Sequence, residues 1–445
     1  MLALQMPKMQ QIDTLIHARW IIPVEPEGVL EHHCLAIHTG RIIDLLPGDQ
    51  AGQRYQAAQT VHLNDHALIP GLVNAHTHAA MSLLRGLADD LPLMEWLNKH
   101  IWPAESAWVS AEFVQNGTQL AIAEMLRSGT TCFNDMYFFP DVTAKVASQC
   151  GMRASVGLIF IDFPSAWAGN PDEYLEKGLA VHDAYHDHPL IKTTFAPHAP
   201  YSVSDAPLRK IATLAEELDI PINMHVHETA DEITHSLAHY QVRPLQRLRD
   251  LGLLSPRLLA VHMTQLTDAE ITEFAATGGH VLHCPESNLK LASGFCPVDK
   301  LIQAGVNVAL GTDGAASNND LDMFGEMQCA ALLAKAVSGD ATSVPAATAL
   351  RMATLNGARA LDLDAEIGSL RPGKSADITA VYLGGIETQP VYDPISQLVY
   401  AAGRDHVTDV WVAGQRLLNN RALTTLDETE ILRKTQQWRA RIARR

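Results

Sequence analysis

Only six cysteines occur in 445 residues, and Cys34, Cys132, Cys150, Cys284, Cys296 and Cys329 are scattered without a single C-x-x-C pair. That spacing excludes a disulfide framework and a cysteine-ligated zinc site, and it points to a reducing compartment, the cytoplasm. Positive charge is scarce as well: 33 Lys and Arg stand against 50 Asp and Glu, a formal charge of −17. The field of such a chain repels polyanions, so nucleic acid and anionic membrane surfaces are excluded as partners. No apolar run approaches the length that crosses a bilayer, and the opening "MLALQMPKMQQ" lacks the apolar core and small-residue cleavage site of a signal peptide. No G-x-G-x-x-G follows the first strand of the central region, and there is neither low complexity nor a short-period repeat. A doubly wound dinucleotide-binding sheet therefore has no support.

What is present is an ordinary apolar fraction of 47% on a chain long enough for two domains, or for one large barrel with an accessory domain. Residues 12 to 66 alternate apolar and polar positions, with breaks at Gly40 and Pro47-Gly48, which is the pattern of an antiparallel sheet. The same texture returns in "IGSLRPGKSADITAVYL" and "VTDVWVAGQRLLNN" near the end. The two ends are expected to meet in one small β-sandwich, formed by residues 1–66 and 370–445. Between them, over residues 67–369, eight apolar strand candidates alternate with helical stretches: "LIPGLVNAH", "GTTCFNDM", "RASVGLIF", "IKTTFAPHAP", "PINMHVHE", "LLAVHMTQL", "GHVLHCPES" and "NVALGTDG". An α/β fold with a (β/α)8 TIM barrel as its catalytic domain is the expected architecture.

In such a barrel the C-terminal ends of all strands converge on one face, so residues far apart in sequence become neighbours. His76 and His78 end the first strand, His198 the fourth, His225, His227 and Glu228 the fifth, His262 the sixth, His283 the seventh and Asp313 the eighth. Residues i and i+2 of a strand point to one side, so His76 and His78 can aim both imidazoles at one point. Taken alone, an H-x-H pair among 21 histidines arises readily by chance. It gains meaning when His225 and Asp313 join it, because three imidazoles and a carboxylate suit one divalent metal, above all zinc.

A metal so held would lower the pKa of its water from about 16 toward about 7. Glu228 then has the place of a proton shuttle and His262 that of a hydrogen-bond partner to the water. In isolation each has a plain alternative, a solvated loop carboxylate and a satisfied core histidine; the shared strand-end placement decides against these. His227 reads as a supporting or loop residue, and His283 divides evenly between support and packing. Lys192 begins the fourth strand, at the end away from the site, so a lysine bridging two metals is not expected.

The motifs "PGLVNAHTH", "MHVHE", "AVHMTQL", "HCPESNLKLASG" and "LGTDGAASNND", in this order, resemble the amidohydrolase superfamily, specifically its single-metal deaminase branch. The resemblance spans nearly the whole chain. Within the branch, "LRGLADDLPLMEWLNKHIWPAE" is most similar to the 5'-methylthioadenosine and S-adenosylhomocysteine deaminases. The resemblance implies hydrolytic deamination of an adenine nucleoside, a homo-oligomer, and substrate contacts from Glu95, Trp96, Arg153, His198, Glu228, Asp313 and Ser317. Glu95 would grip the ribose hydroxyls, Trp96 would wall the pocket, and Arg153 would meet a homocysteine carboxylate. "NDMYFFPDV" after the second strand supplies aromatic residues but no second basic group, which ranks methylthioadenosine above S-adenosylhomocysteine. The rival readings are an aminohydrolase of a free base or a triazine, which has no ribose diol to hold, and a non-catalytic barrel, which would have lost ligands.

Overall fold

The computed structural model describes residues 9–443, so most of "MLALQMPKMQQ", read above for a signal peptide, lies outside the described residues. Eight parallel strands form the central sheet: β6 (Leu72–Thr77), β7 (Thr130–Asp135), β8 (Arg153–Phe160), β9 (Ile191–Pro197), β10 (Ile222–Val226), β11 (Leu258–His262), β12 (His280–His283) and β13 (Asn307–Leu310). They pair in sequence order from β6 to β13. The ring closes through the Asp313 N–H, which donates to the His76 carbonyl at 3.0 Å, and through Asn74, whose amide donates to the Thr312 hydroxyl at 2.7 Å. Every residue of β6, β7, β8 and β10 is buried. This is why these strands read as near-continuous apolar runs: helices cover one side of the sheet and packed side chains fill the other.

The two ends of the chain share one mixed sheet of nine strands. The N-terminal segment gives β1 (Gln10–Ile21), β2 (Leu30–Glu31), β3 (His33–His38), β4 (Arg41–Pro47) and β5 (Tyr55–Pro70), and the C-terminal segment gives β14 (Ile378–Tyr382), β15 (Val407–Val412), β16 (Gln415–Asn419) and β17 (Ala422–Leu423). Strand β14 pairs antiparallel with β5, Ile378 opposite Pro70, which stitches the late segment to the early one. Alternating residues feed two apolar clusters: Ile16, Ile37, Ile42, Leu68 and Trp411 form one, Ile12, Leu15, Cys34, Leu46 and Tyr55 the other. Strand β5 stops at Pro70 and β6 begins at Leu72, so a single residue, Gly71, separates the two sheets. A Cβ on Gly71 would come within 2.0 Å of the Thr131 hydroxyl, a clash that only glycine avoids. Among the described residues no helix is long and apolar enough to cross a membrane.

Candidate active site

The C-terminal strand ends bring His76, His78, His225 and Asp313 together, with one donor atom from each lying within 4.8 Å of the others. His225 Nε2 is 3.1 Å from His76 Nε2, and Asp313 Oδ1 is 3.1 Å from His78 Nε2 and 3.5 Å from His76 Nε2. Gly311 makes the closure tight, because a Cβ there would stand 2.7 Å from the backbone nitrogen of His76. Beyond it the chain turns through Asp313 at φ +61°, and His262 and His227 are likewise left-handed, at +74° and +55°. Such backbone is costly outside glycine, and its clustering at the strand ends marks where the fold bends to aim side chains.

The opposite edge of each ligand ring is tied down. His78 Nδ1 donates to the Met136 carbonyl at 2.5 Å and His225 Nδ1 to the His198 carbonyl at 2.8 Å, which makes Nε2 of each ring the atom available to a metal. The Asn223 amide lies 3.3 Å from His76 Nδ1, and its buried Oδ1 has no partner. Turned by 180°, that amide accepts the Nδ1 proton and frees the third Nε2 in the same way. Asp313 divides its oxygens: Oδ2 accepts from the Ser287 hydroxyl at 2.6 Å and the Ser317 hydroxyl at 2.9 Å, while Oδ1 is buried and faces only the Nε2 atoms of His78 and His76.

The electrostatics state the same demand. Burial pushes His76 down to about 4 and His225 well below the ordinary imidazole value. Withdrawal from water also works against a charge on His78, but the Asp313 hydrogen bond and charge outweigh it and lift this ring to about 9. Burial would raise Asp313, yet the hydrogen bonds from His76 and His78 hold it well below the carboxylate range. An ionised carboxylate and three imidazole Nε2 atoms thus converge on one point, and a divalent cation such as zinc, taking the place of the proton that His78 and Asp313 share, fits this donor set.

Around this corner opens a cavity of about 500 Å³. Its wall includes Glu228, His262, His198, Ser317 and Trp96, so the structure brings these predicted residues to the donor set. Glu228 Oε1 is 3.8 Å from His262 Nε2, and burial raises the Glu228 carboxyl above its usual value. The amide oxygen of Asn288 lies 2.8 Å from His262 Nδ1; the ring therefore carries its proton there and turns a bare Nε2 toward Glu228. His198 is fixed by the Ser202 hydroxyl at 2.9 Å from Nδ1. Trp96 is 5% exposed and donates its indole N–H to the Ala88 carbonyl at 3.1 Å.

Two predicted contacts are corrected. Glu95 does not reach the cavity: on the helix Leu93–Trp96 it follows a different face from the inward Trp96, leaves its side chain 42% exposed, and pairs with Lys99 at 2.8 Å. Arg153 starts β8 and so lies at the opposite end of the barrel, where Nε donates to Asp377 Oδ2 at 2.9 Å and a terminal nitrogen to Asp377 Oδ1 at 3.1 Å. A guanidinium so paired, its side chain 5% exposed, has nothing to offer a substrate. His227 and His283 are both buried, the former accepting from the Leu245 N–H at 3.1 Å, and neither lines the cavity.

The glutamate of this region that does line the cavity is Glu105, in Trp102–Trp108, and the Tyr137 hydroxyl donates to its Oε1 at 2.7 Å. Sequence reasoning missed it, although "MEWLNKHIWPAE" contains both glutamates. The signal available was Pro103, which has no N–H to give the preceding turn: the helix runs on through residues 93–108, but its turn Leu97–Ile101 is π-helical and shifts the facing of the side chains beyond it. Asn223, Ser287 and Asn288 were missed as well; small polar residues inside apolar motifs carry no pattern of their own.

A closed parallel barrel with three imidazoles and a carboxylate at its C-terminal face defines a single-metal hydrolase. The chain belongs to the amidohydrolase family, whose profile matches residues 67–417. A protein of Teredinibacter turnerae called 5-methylthioadenosine/S-adenosylhomocysteine deaminase is 51% identical over 97% of this chain and 98% of its own. The crystal structure of an adenosine deaminase from Xanthomonas campestris with bound zinc superposes with a TM-score of 0.97 at 55% identity, covering 98% of this chain and 100% of that one. An atrazine chlorohydrolase from Arthrobacter aurescens, TM-score 0.89 at 23% identity over 96% and 99% of the two chains, shares the fold alone.

Proposed function

We propose that the chain is a zinc-dependent deaminase of adenine nucleosides, with 5'-methylthioadenosine preferred over S-adenosylhomocysteine. The observation that carries the preference is the lining of the cavity: among the described residues it contains no lysine or arginine. Past the donor set the wall is Trp102, Val109, Ile159, Ile161 and Phe163, which suits an alkylthio group and leaves an amino-acid carboxylate without a cationic partner. The relatives' names bring the adenine nucleoside to this reading, and Glu105 takes the sugar-holding role first expected of Glu95. A carboxylate already positioned by Tyr137 accepts from two adjacent ribose hydroxyls through its remaining lone pairs.

His76, His78, His225 and Asp313 would hold the zinc, which when bound would supply the Lewis acidity that makes water a nucleophile near neutral pH. Glu228 takes the first proton of the attacking water and delivers it to the ring nitrogen beside C6. His262 accepts a hydrogen bond from that water at Nε2, because Asn288 keeps the ring's own proton on Nδ1. As the C6–O bond forms and the C6–N bond breaks, the second water proton leaves with the amine as ammonia and the inosine analogue remains. The apolar wall keeps bulk water from competing for these transfers. All six cysteines are unpaired, five of them buried, which supports a reducing compartment and hence a cytoplasmic enzyme.

The test is ammonia release by zinc-loaded protein from methylthioadenosine, S-adenosylhomocysteine, adenosine, guanine and cytosine. Highest kcat/KM is expected on methylthioadenosine. Release from the free bases alone would overturn the nucleoside assignment, and equal rates on the two thionucleosides would overturn the preference.

A further inference from the structure

We propose that Glu232 is the positioning residue for Glu228: its carboxylate grips the two backbone N–H groups of the turn that carries the proton-transfer group. The inference rests on the reading of Glu228 given above. Glu232 is the third residue of the helix Ala230–Tyr240, whose N-cap, Thr229, accepts from the Glu232 N–H at 3.3 Å. A glutamate at this position ordinarily completes a capping box by reaching back to the N–H of the cap itself. The helix Asp268–Thr277 of the same chain does so, Glu270 Oε2 accepting from Thr267 N at 2.9 Å.

Glu232 reaches further. Its Oε2 accepts from the Glu228 N–H at 2.8 Å and its Oε1 from the His227 N–H at 3.1 Å, one and two residues before the cap. The left-handed His227, at φ +55°, lets two successive N–H groups face the same side and form a small anion-binding concavity. From the other side the Thr264 hydroxyl donates to the Glu228 carbonyl at 2.7 Å, and the Thr264 N–H donates to the His227 carbonyl at 3.0 Å. The peptide that bears Glu228 is thus held at its N–H by the following helix and at its C=O by the end of the neighbouring strand. Glu232 itself is 5% exposed, so burial works against its ionised form while the two N–H donors favour it. An ordinary helix start would be served by an exposed cap without that cost.

The test compares Glu232→Ala and Glu232→Gln with wild type in the zinc-loaded enzyme. A displacement of about 1 Å in a reacting group costs on the order of 100-fold in rate. Glu232→Ala is accordingly expected to lose about that much kcat on methylthioadenosine, with KM within a factor of about two and zinc stoichiometry unchanged. Glu232→Gln, which keeps one acceptor oxygen, is expected to recover part of the loss and guards against a variant that fails to fold. Amide hydrogen exchange at Glu228, followed on the metal-free chain, should be faster in both variants than in wild type. Unchanged kcat, or unchanged exchange at Glu228, would overturn the proposal, as would a kcat loss that only follows zinc loss. If wild type released ammonia from no nucleoside, the functional reading would fall, while the exchange measurement would still decide whether Glu232 holds the turn.

Discussion

Glu105 and Glu228 are two carboxyls of one cavity in different surroundings, and those surroundings say how each should respond to change. Glu228 is deeply buried beside His262, so a neutral isostere keeps its packing but can neither take nor deliver a proton. Glu228→Gln is expected to lower kcat by 10² to 10⁴, roughly the range for general acid–base groups, with zinc content intact by metal analysis. Glu105 is partly withdrawn from water, which raises its carboxyl to about 7, the Tyr137 hydrogen bond offsetting only part of the effect. The sign for binding follows directly. The ionised form is the better acceptor for a diol, and it grows as pH rises through about 7. KM for methylthioadenosine is therefore expected to be lowest above that pH and to climb below it. In Glu105→Gln it should be higher and nearly flat from pH 5.5 to 8.5; a KM that kept its wild-type slope would remove Glu105 from the sugar site.

At the scale of the element, direction along a strand decides what a residue can do. Strand β8 puts Phe160 at the cavity end and Arg153 at the base, where its guanidinium meets Asp377 from just before β14 and the Ser375 hydroxyl at 3.0 Å. Removing one partner of such a pair strands the other charge in the interior, at a cost of about 3–5 kcal/mol. Arg153→Met should thus lower the melting temperature markedly while leaving KM for the nucleoside unchanged, the reverse of what a substrate contact would give. The same directionality explains how much the sequence disclosed. The eight strands were legible because strands buried on both faces leave continuous apolar runs. The convergence of the donor set was legible because His76, His225 and Asp313 all fall at C-terminal strand ends, where one rule places them together. Arg153 violated that rule by its position at a strand start. Helices gave less: Glu95 and Trp96 are adjacent in sequence but about 100° apart around the axis, so an inward Trp96 turns Glu95 outward. The residue that enters the cavity instead, Glu105, lies further along the same run of helix, beyond the π-helical turn Leu97–Ile101, whose shift of phase only the fold reveals.

The whole molecule divides its cavity between parts of different origin, and specificity follows from that division. Barrel strand ends supply the donor set, whereas the far wall comes from the helix Trp102–Trp108 and the segment after β8, joined where the Trp102 and Phe163 rings meet edge to face at 6.2 Å. S-adenosylhomocysteine would carry both an ammonium and a carboxylate into that wall, and a chain of net charge −17 gives the carboxylate no help at long range. Phe163 stands at the rim, 44% exposed, so it can be replaced without opening a hole in the core. In Phe163→Arg a guanidinium at the rim could fork onto the carboxylate, and a charge-assisted hydrogen bond contributes about 1.5–3 kcal/mol. The ratio of kcat/KM for S-adenosylhomocysteine to that for methylthioadenosine is then expected to rise by about tenfold or more. Part of that change would come from the lost apolar contact with the methylthio group, so the two substrates must be measured separately. A rise on S-adenosylhomocysteine itself is the decisive outcome, because only a tail that leaves the cavity past Phe163 can gain from a cation placed there.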